Sequence, residues 1–352
     1  MHGAARGQNR QGEQGMGKPG VFWRAGAAVL AAAMLAGCGA TADLAAQSAV
    51  RPAASGGGAA PGLTGGLENS SQAALSAWAW GILAAQTGDG AETAAEDLQT
   101  AIDAFCAAQP GSISVWACDL EDDAVYKCNA DVLYYGASIL KSPYALWLCK
   151  LADDGKLAIG GTLPNTHRGL LAQSSLSAYN ESDTVPVREA LYAMIADSDN
   201  DATDLLMQNW PGTEASGYTA FLQALGYSRP DTVSMTSADG IQGELSAADA
   251  GATMQALWHY MDSGAPNSAF LRQAFTSADH EALYVPAGVA AAKKYGSWDG
   301  AFHDEILVFD ENPYILCCLT DWGSSDVDFP AEAVEKMQAL GKLVSGFMRY
   351  GL

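Results

Sequence analysis

Three strand-like runs near the C-terminal end limit the fold more than any other feature. GVAAAKKYGSW, FHDEILVFD and PYILCCLTDW follow one another with only residues 299–301 and 311–312 between them. Connections that short carry no crossover helix, so the three strands must be antiparallel neighbours. Upstream, GSISVWACD and AVYKCN alternate around Leu120-Glu121-Asp122-Asp123 and predict a further hairpin. Two helical stretches are expected within residues 73–108, the second being ETAAEDLQTAIDAFCAAQ. From Ser138 to about Tyr284 the pattern is mostly helical: REALYAMIADSD, TDLLMQNW, YTAFLQAL and SAADAGATMQALWHYM are separated by Gly, Pro, Asn and Asp. A last helix is expected to start near Asp328-Phe329-Pro330, with Asp328 as cap and Pro330 in the first turn. The order predicts an α/β (α+β) fold: a five-stranded antiparallel sheet flanked by helices, plus an all-α lobe. Residues 73–137 and 286–352 form the α/β lobe and residues 138–285 the helical lobe, with a site expected at their boundary.

The first 72 residues have a different character. Basic side chains lead into VFWRAGAAVLAAAMLAGCGA, an apolar run ending in small residues, which has the layout of a secretory signal over residues 1–37. Leu35-Ala36-Gly37-Cys38 resembles the lipobox of bacterial lipoproteins, and that resemblance implies lipidation of Cys38 and an extracytoplasmic, membrane-anchored protein. Residues 38–72 then consist largely of Ala, Gly, Ser, Pro and Thr, with too few large apolar groups to pack, and are expected to be a flexible tether. The whole chain carries a formal charge of −22; without residues 1–37 it retains 14 basic and 39 acidic side chains, a net −25. Such a surface repels phosphate backbones, so nucleic acid is excluded as a partner, and the acidity is read as keeping an exported protein soluble.

Beyond Cys38, six cysteines remain: Cys106, Cys118, Cys128, Cys149, Cys317 and Cys318. An even count permits disulfides, but six cysteines allow 15 connectivities. Cys118 and Cys128 are read either as facing one another across the hairpin or as small core residues. No Cys-x-x-Cys or His-Glu-x-x-His pattern occurs, so neither metal nor cofactor is expected. His167, His259, His280 and His303 are scattered, His303-Asp304 at a strand start is read as structural, and Trp78 and Trp80 precede the core.

The chemistry concentrates in a few positions. In DVLYYGASILKSPYALWLCK, Ser138 and Lys141 stand three residues apart at the entry to an apolar helix, so they share a face. A helix N-terminus and burial among Tyr134, Leu140 and Trp147 both disfavour an ammonium, and a neutral lysine there can take the serine proton. Ser198-Asp199-Asn200 follows at the end of a helix, and Lys294-Tyr295-Gly296 lies in a predicted strand. In order and context these motifs resemble those of the active-site-serine penicillin-recognising enzymes, class A β-lactamases most closely, over roughly residues 92–350. The resemblance implies Ser138 as nucleophile and Lys141 as its base or part of its proton relay. Ser198 would pass a proton to the leaving nitrogen, and Asn200 would hold Lys141 and the substrate amide. Lys294 would face the substrate carboxylate and support Ser198, with Tyr295 and Gly296 along the substrate. The backbone N–H groups of Ser138 and Ser297 would form the oxyanion hole. Asp199 is read as a helix cap or a structural group, and strand alternation turns Lys293 away from Lys294.

Two positions depart from the family pattern. Tyr295 stands where that family usually carries Thr or Ser, which removes or displaces a hydroxyl for substrate carboxylate. The Glu-x-x-x-Asn of the deacylation loop is missing from LGYSRPDTVSMTSADGIQGELSAADA. Glu244, whose Glu-Leu-Ser reads as the start of the next helix, and Asp239 are weak candidates for the deacylating base. The chain is therefore expected to be a monomeric β-lactamase-like serine hydrolase, acylated at Ser138 by β-lactams or D-Ala-D-Ala-type amides, with slow turnover. A penicillin-binding DD-peptidase-like enzyme acting on peptidoglycan and a non-catalytic cell-wall-binding lipoprotein are the alternatives.

Overall fold

The structure, a computed structural model, describes residues 91–165, 173–180, 182–209, 215–235, 240–280 and 282–350. The expected signal, Cys38, the tether, Trp78, Trp80, the first predicted helix, His167 and Asp239 lie outside them.

Helix α1 (Ala91–Ala107) leads into the hairpin β1 (Ile113–Asp119) and β2 (Val125–Cys128). Strand β3 (Leu133–Tyr135) and a 3₁₀ turn, Ala137–Leu140, precede α2 (Lys141–Asp153). The helical segment continues through β4 (Thr162–Pro164), β5 (Thr184–Pro186), α3 (Val187–Ala196), α4 (Asn200–Asn209) and α5 (Ala215–Leu225). It ends with β6 (Glu244–Ser246), α6 (Ala247–Asp262) and α7 (Ser268–Thr276). The meander β7 (Ala290–Trp298), β8 (Ala301–Phe309) and β9 (Tyr314–Thr320) then leads to α8 (Ala331–Tyr350). The sheet has the order β2-β1-β9-β8-β7 with every pair antiparallel, as the short connections require. Segments from before and after the helical part meet in it, because β1 pairs with β9 from Ile113↔Thr320 to Asp119↔Tyr314.

Each central strand is buried on both faces, since helices cover both. Val115, Ala117, Ile306, Val308, Leu316 and Cys318 pack with Leu98, Ile102 and Phe105 of α1 and Met337, Leu340 and Val344 of α8. The alternate residues Trp116, Cys118, Leu307, Ile315, Cys317 and Leu319 join a second layer with α2, α3, α6 and α7. A large aliphatic or aromatic side chain fully buried in such a layer is worth about 1.5–3 kcal/mol. Close approach of α6 to the sheet depends on Gly251, where a Cβ would stand 2.3 Å from the Trp116 ring.

Several sequence expectations change in detail. Helix α8 begins at Ala331, with the carbonyl of Pro330 accepting from Val334 N, so Pro330 precedes the helix and its first turn lies beyond Asp328. Glu244-Leu245-Ser246 is a strand, β6, paired with β3; the helix starts only afterwards, capped by Ser246 and Asp249 in a reciprocal capping box. Cys118 and Cys128 do not face each other: Cys118 is opposite Val125, and Cys128 opposite Val115. All six cysteines among the described residues are unbridged.

Candidate active site

The edge strand β7 runs along the turn that carries Ser138, and a glycine makes the approach possible. A Cβ on Gly296 would lie 3.1 Å from both the Gly136 carbonyl oxygen and Ile139 N. The missing side chain of Gly296 therefore makes room for the turn. The turn is fixed from behind as well. Gly136 N donates to Gly243 O at 2.9 Å, Tyr135 pairs with Glu244 in the β3–β6 ladder, and the Tyr135 hydroxyl donates to Gln242 Oε1 at 2.5 Å. His303, fully buried on β8, joins the turn to the sheet. Its Nδ1 accepts from Thr320 N at 3.1 Å, which fixes the proton on Nε2, and Nε2 donates to Tyr135 O at 2.9 Å. Burial holds this imidazole neutral, at about 4, well below the usual histidine value.

Ser138 is half-buried inside the 3₁₀ turn, and Ala137 before it has φ of +45°. Side chains three apart eclipse in 3₁₀ geometry, so Ser138 and Lys141 share a face. Lys141 is the first residue of α2 and is buried. Its ammonium nitrogen donates to Ser198 O at 2.6 Å and Asn200 Oδ1 at 2.7 Å, and lies 3.4 Å from Ser198 Oγ. Burial brings Lys141 down to about 7, although the carboxylates of Asp199 and Asp204 pull the other way. Among the described residues, Ser138 Oγ makes no hydrogen bond.

Ser198 also adopts a left-handed backbone conformation, φ +55°. A non-glycine residue there is strained by about 1–2 kcal/mol. Its neighbours hold it in place. Asp199 is buried and accepts from Ser174 Oγ at 2.7 Å, Ser175 N at 2.7 Å and Ala202 N at 3.0 Å, so it caps α4. Ser198 Oγ stands between two ammonium groups, since Lys294 donates to it at 2.8 Å. Lys294 is fully buried, donates to the carbonyl of Tyr295 at 2.9 Å and lies 4.7 Å from the centre of the Tyr295 ring. Burial first and the Lys141 charge second push Lys294 well below an ordinary lysine.

Tyr295 continues into an aromatic group: its ring lies 5.0 Å from His280 and 4.7 Å from Phe329. Burial, with the Asp328 charge behind it, raises the Tyr295 hydroxyl, and Ser198 pulls the other way. Lys293 points to the opposite face and donates to the His280 carbonyl at 2.9 Å. Among the described residues, the buried Oγ of Ser297 has no hydrogen-bond partner.

Ser138, Lys141, Ser198, Asn200, Lys294, Tyr295 and Gly296 thus surround one turn and one strand edge. Glu244 lies beside this turn, paired with Tyr135 in the β3–β6 ladder, with its side chain exposed and, among the described residues, hydrogen-bonded to none of the seven. Two groups escaped the sequence reading: Ser142 donates to the buried carboxyl of Glu305 at 2.5 Å, and Glu305 lies directly across the ladder from Lys294. His303, read from the sequence as structural, secures the turn. The signal was the run His303-Asp304-Glu305, three polar residues within a strand otherwise apolar from Ala301 to Phe309.

Comparisons with known proteins agree with this architecture. No curated protein sequence matches the chain. PBP-A matches in structure with a TM-score of 0.59 and 19% identity, over 70% of this chain and 94% of its own. A point variant of PBP-A, solved as an acyl-enzyme complex with penicillin G, gives 0.58 and 19%, over 71% and 95%. A β-lactamase from Chitinophaga pinensis DSM 2588 gives 0.56 and 19%, over 70% and 98%. At that identity the likeness establishes the shared fold. The sequence profile of the Beta-lactamase2 family, described as the beta-lactamase enzyme family, matches residues 96–348. With that match covering most of the chain, and a serine–lysine turn set against the sheet edge of the same fold, this chain belongs to the beta-lactamase enzyme family.

Proposed function

We propose that the protein is a serine acyl-transfer enzyme in which Ser138 attacks the carbonyl of a β-lactam or a D-Ala-D-Ala-type amide. The observation that carries this reading is the placement of Ser198 Oγ between Lys141 and Lys294, at 3.4 and 2.8 Å. A lysine brought to about 7 is half neutral at physiological pH and able to accept the Ser138 proton. The Ser138 oxygen bonds to the carbonyl carbon, and the oxyanion is met by the backbone N–H groups of Ser138 and Ser297. The proton passes from Lys141 through Ser198 to the leaving nitrogen as the C–N bond breaks. Lys294 keeps the Ser198 hydroxyl oriented, and Asn200 keeps Lys141 in place.

Hydrolysis of the ester needs water activated by a placed carboxylate. The backbone of Glu244 belongs to the β3–β6 ladder and its side chain is exposed, and the missing Glu-x-x-x-Asn supports slow deacylation. The penicillin-binding peptidase is the second reading, supported by the missing Glu-x-x-x-Asn; the Tyr295 ring, 4.7 Å from the Lys294 ammonium, stands beside the approach of a substrate carboxylate in either reading. A monomer tethered to the outer side of a membrane through lipidated Cys38 completes the proposal. It rests on the lipobox-like sequence.

The test is the intact mass of the domain over time after mixing with penicillin G, run beside a chromogenic cephalosporin assay. The reading predicts a mass increase equal to the whole penicillin, persisting while little cephalosporin is consumed. Absence of any adduct with β-lactams and with acyl-D-Ala-D-Ala thioesters would contradict it.

A further inference from the structure

Glu305 is a fully buried acid in the layer between the sheet and the helices. One carboxylate oxygen accepts from Ser142, the residue after Lys141, at 2.5 Å. The other, Oε2, is buried without a hydrogen-bond partner among the described residues. A carboxylate with one oxygen bare in an apolar layer either meets a countercharge or takes up a proton, and burial pushes Glu305 up to about 8. Directly across the antiparallel ladder stands Lys294, and opposed residues in such a ladder project to the same face. Lys294 is itself fully buried, and it donates to neutral oxygens of Ser198 and Tyr295.

We propose that Glu305 is a positioning residue: its carboxylate is the charge partner of Lys294 and keeps that ammonium bonded to Ser198, while tying the first turn of α2 to the sheet through Ser142. The consequence for catalysis rests on the acylation reading; the pairing itself does not. The groups around Glu305 fit this role. Lys294 is the cation facing it from β7, Ser142 and Lys141 come from α2, and Asp304 precedes it on β8. Cys317 of β9 and the Tyr227 hydroxyl, which Thr253 of α6 holds at 2.8 Å, are neutral neighbours. Burial raises Glu305 and lowers Lys294, and each charge opposes the effect of burial on the other. Two such groups titrate as a pair.

The experiment uses protein carrying ¹³Cε-lysine and ¹³Cδ-glutamate, with Lys294 and Glu305 assigned through Lys294→Arg and Glu305→Asp. In Glu305→Gln, which keeps an acceptor for Ser142, the Lys294 midpoint is expected to fall by about one pH unit or more. The high-pH limb of the Ser138 acylation rate should fall with it, and Glu305→Asp should restore both in part. An unmoved Lys294 midpoint in Glu305→Gln overturns the proposal, even if acylation is lost, because a purely structural role predicts that result. If wild type is not acylated at any pH, the acylation reading fails and the midpoint alone decides the pairing. Should Glu305→Gln not fold, the wild-type signals decide: a Lys294 midpoint above that of Glu305, so that both groups are charged between the two, supports the pair, and a Glu305 still neutral where Lys294 loses its proton overturns it.

Discussion

Lys141 occupies the first position of α2, where the helix dipole and burial both work against an ammonium. Its proton is held at about 7 in the folded chain and near the ordinary lysine value, about 10.4, in the unfolded chain. Between those limits the unfolded state binds more protons, so the stability contributed at this residue rises with pH from 7 to 10 and the full penalty applies below 7. Lys141→Met is therefore expected to be more stable than wild type at pH 7 by about 2 kcal/mol, after discounting the orphaned Ser198 and Asn200 acceptors. That margin should vanish toward pH 10 in urea titrations, and acylation should be lost; a margin independent of pH would contradict the assignment. Tyr295 invites a change in the opposite direction. Tyr295→Thr removes the ring beside the Lys294 ammonium, and the second-order acylation rate with penicillin G should rise tenfold or more, about 1.4 kcal/mol. An unchanged or lower rate would mean that the ring is not the obstacle.

Two strands govern how the residues meet. On β8, His303 stays neutral to about 4 while its unfolded counterpart protonates near 6.5. The unfolded state thus binds the extra proton between those values, and the fold should lose up to about 3 kcal/mol as pH falls from 6.5 to 4. Thermal melts of His303→Asn should show that loss flattened; an identical acid limb would remove His303 from the account. On β7, Gly296→Val would drive a branched side chain into the Ser138 turn, and a loss of about 1–3 kcal/mol together with acylation is expected from melting and labelling. The long strands β7, β8 and β9 were legible because their runs and tight turns leave one topology. The three-residue pair β3–β6 was not, since neither segment has enough sequence to signal a strand and each exists through the other. Glu305 could be read as a charge in an apolar run. That it faces Lys294 depends on the β7–β8 register, which period-two alternation does not fix across a turn.

At the scale of the molecule, segments from before and after the helical part build the sheet and the helical part is inserted between them, so the site forms only when β7, the Ser138 turn and the Ser198 turn come together. The motif residues were legible as residue types at spacings; their division of labour was not. The Lys141 ammonium spends its hydrogen bonds on the Ser198–Asn200 turn, while the backbone N–H of Lys141 donates to Ser138 O. The central claim is that Ser138 is the acylated atom. Trypsin cuts after Lys127 and Lys141 and releases residues 128–141, a peptide in which Ser138 is the sole serine. Mass spectrometry of that peptide after penicillin treatment measures the claim directly. The account predicts the penicilloyl group on Ser138 in wild type and none anywhere in Ser138→Ala; a label that survives in Ser138→Ala, or that maps to another peptide, would contradict it.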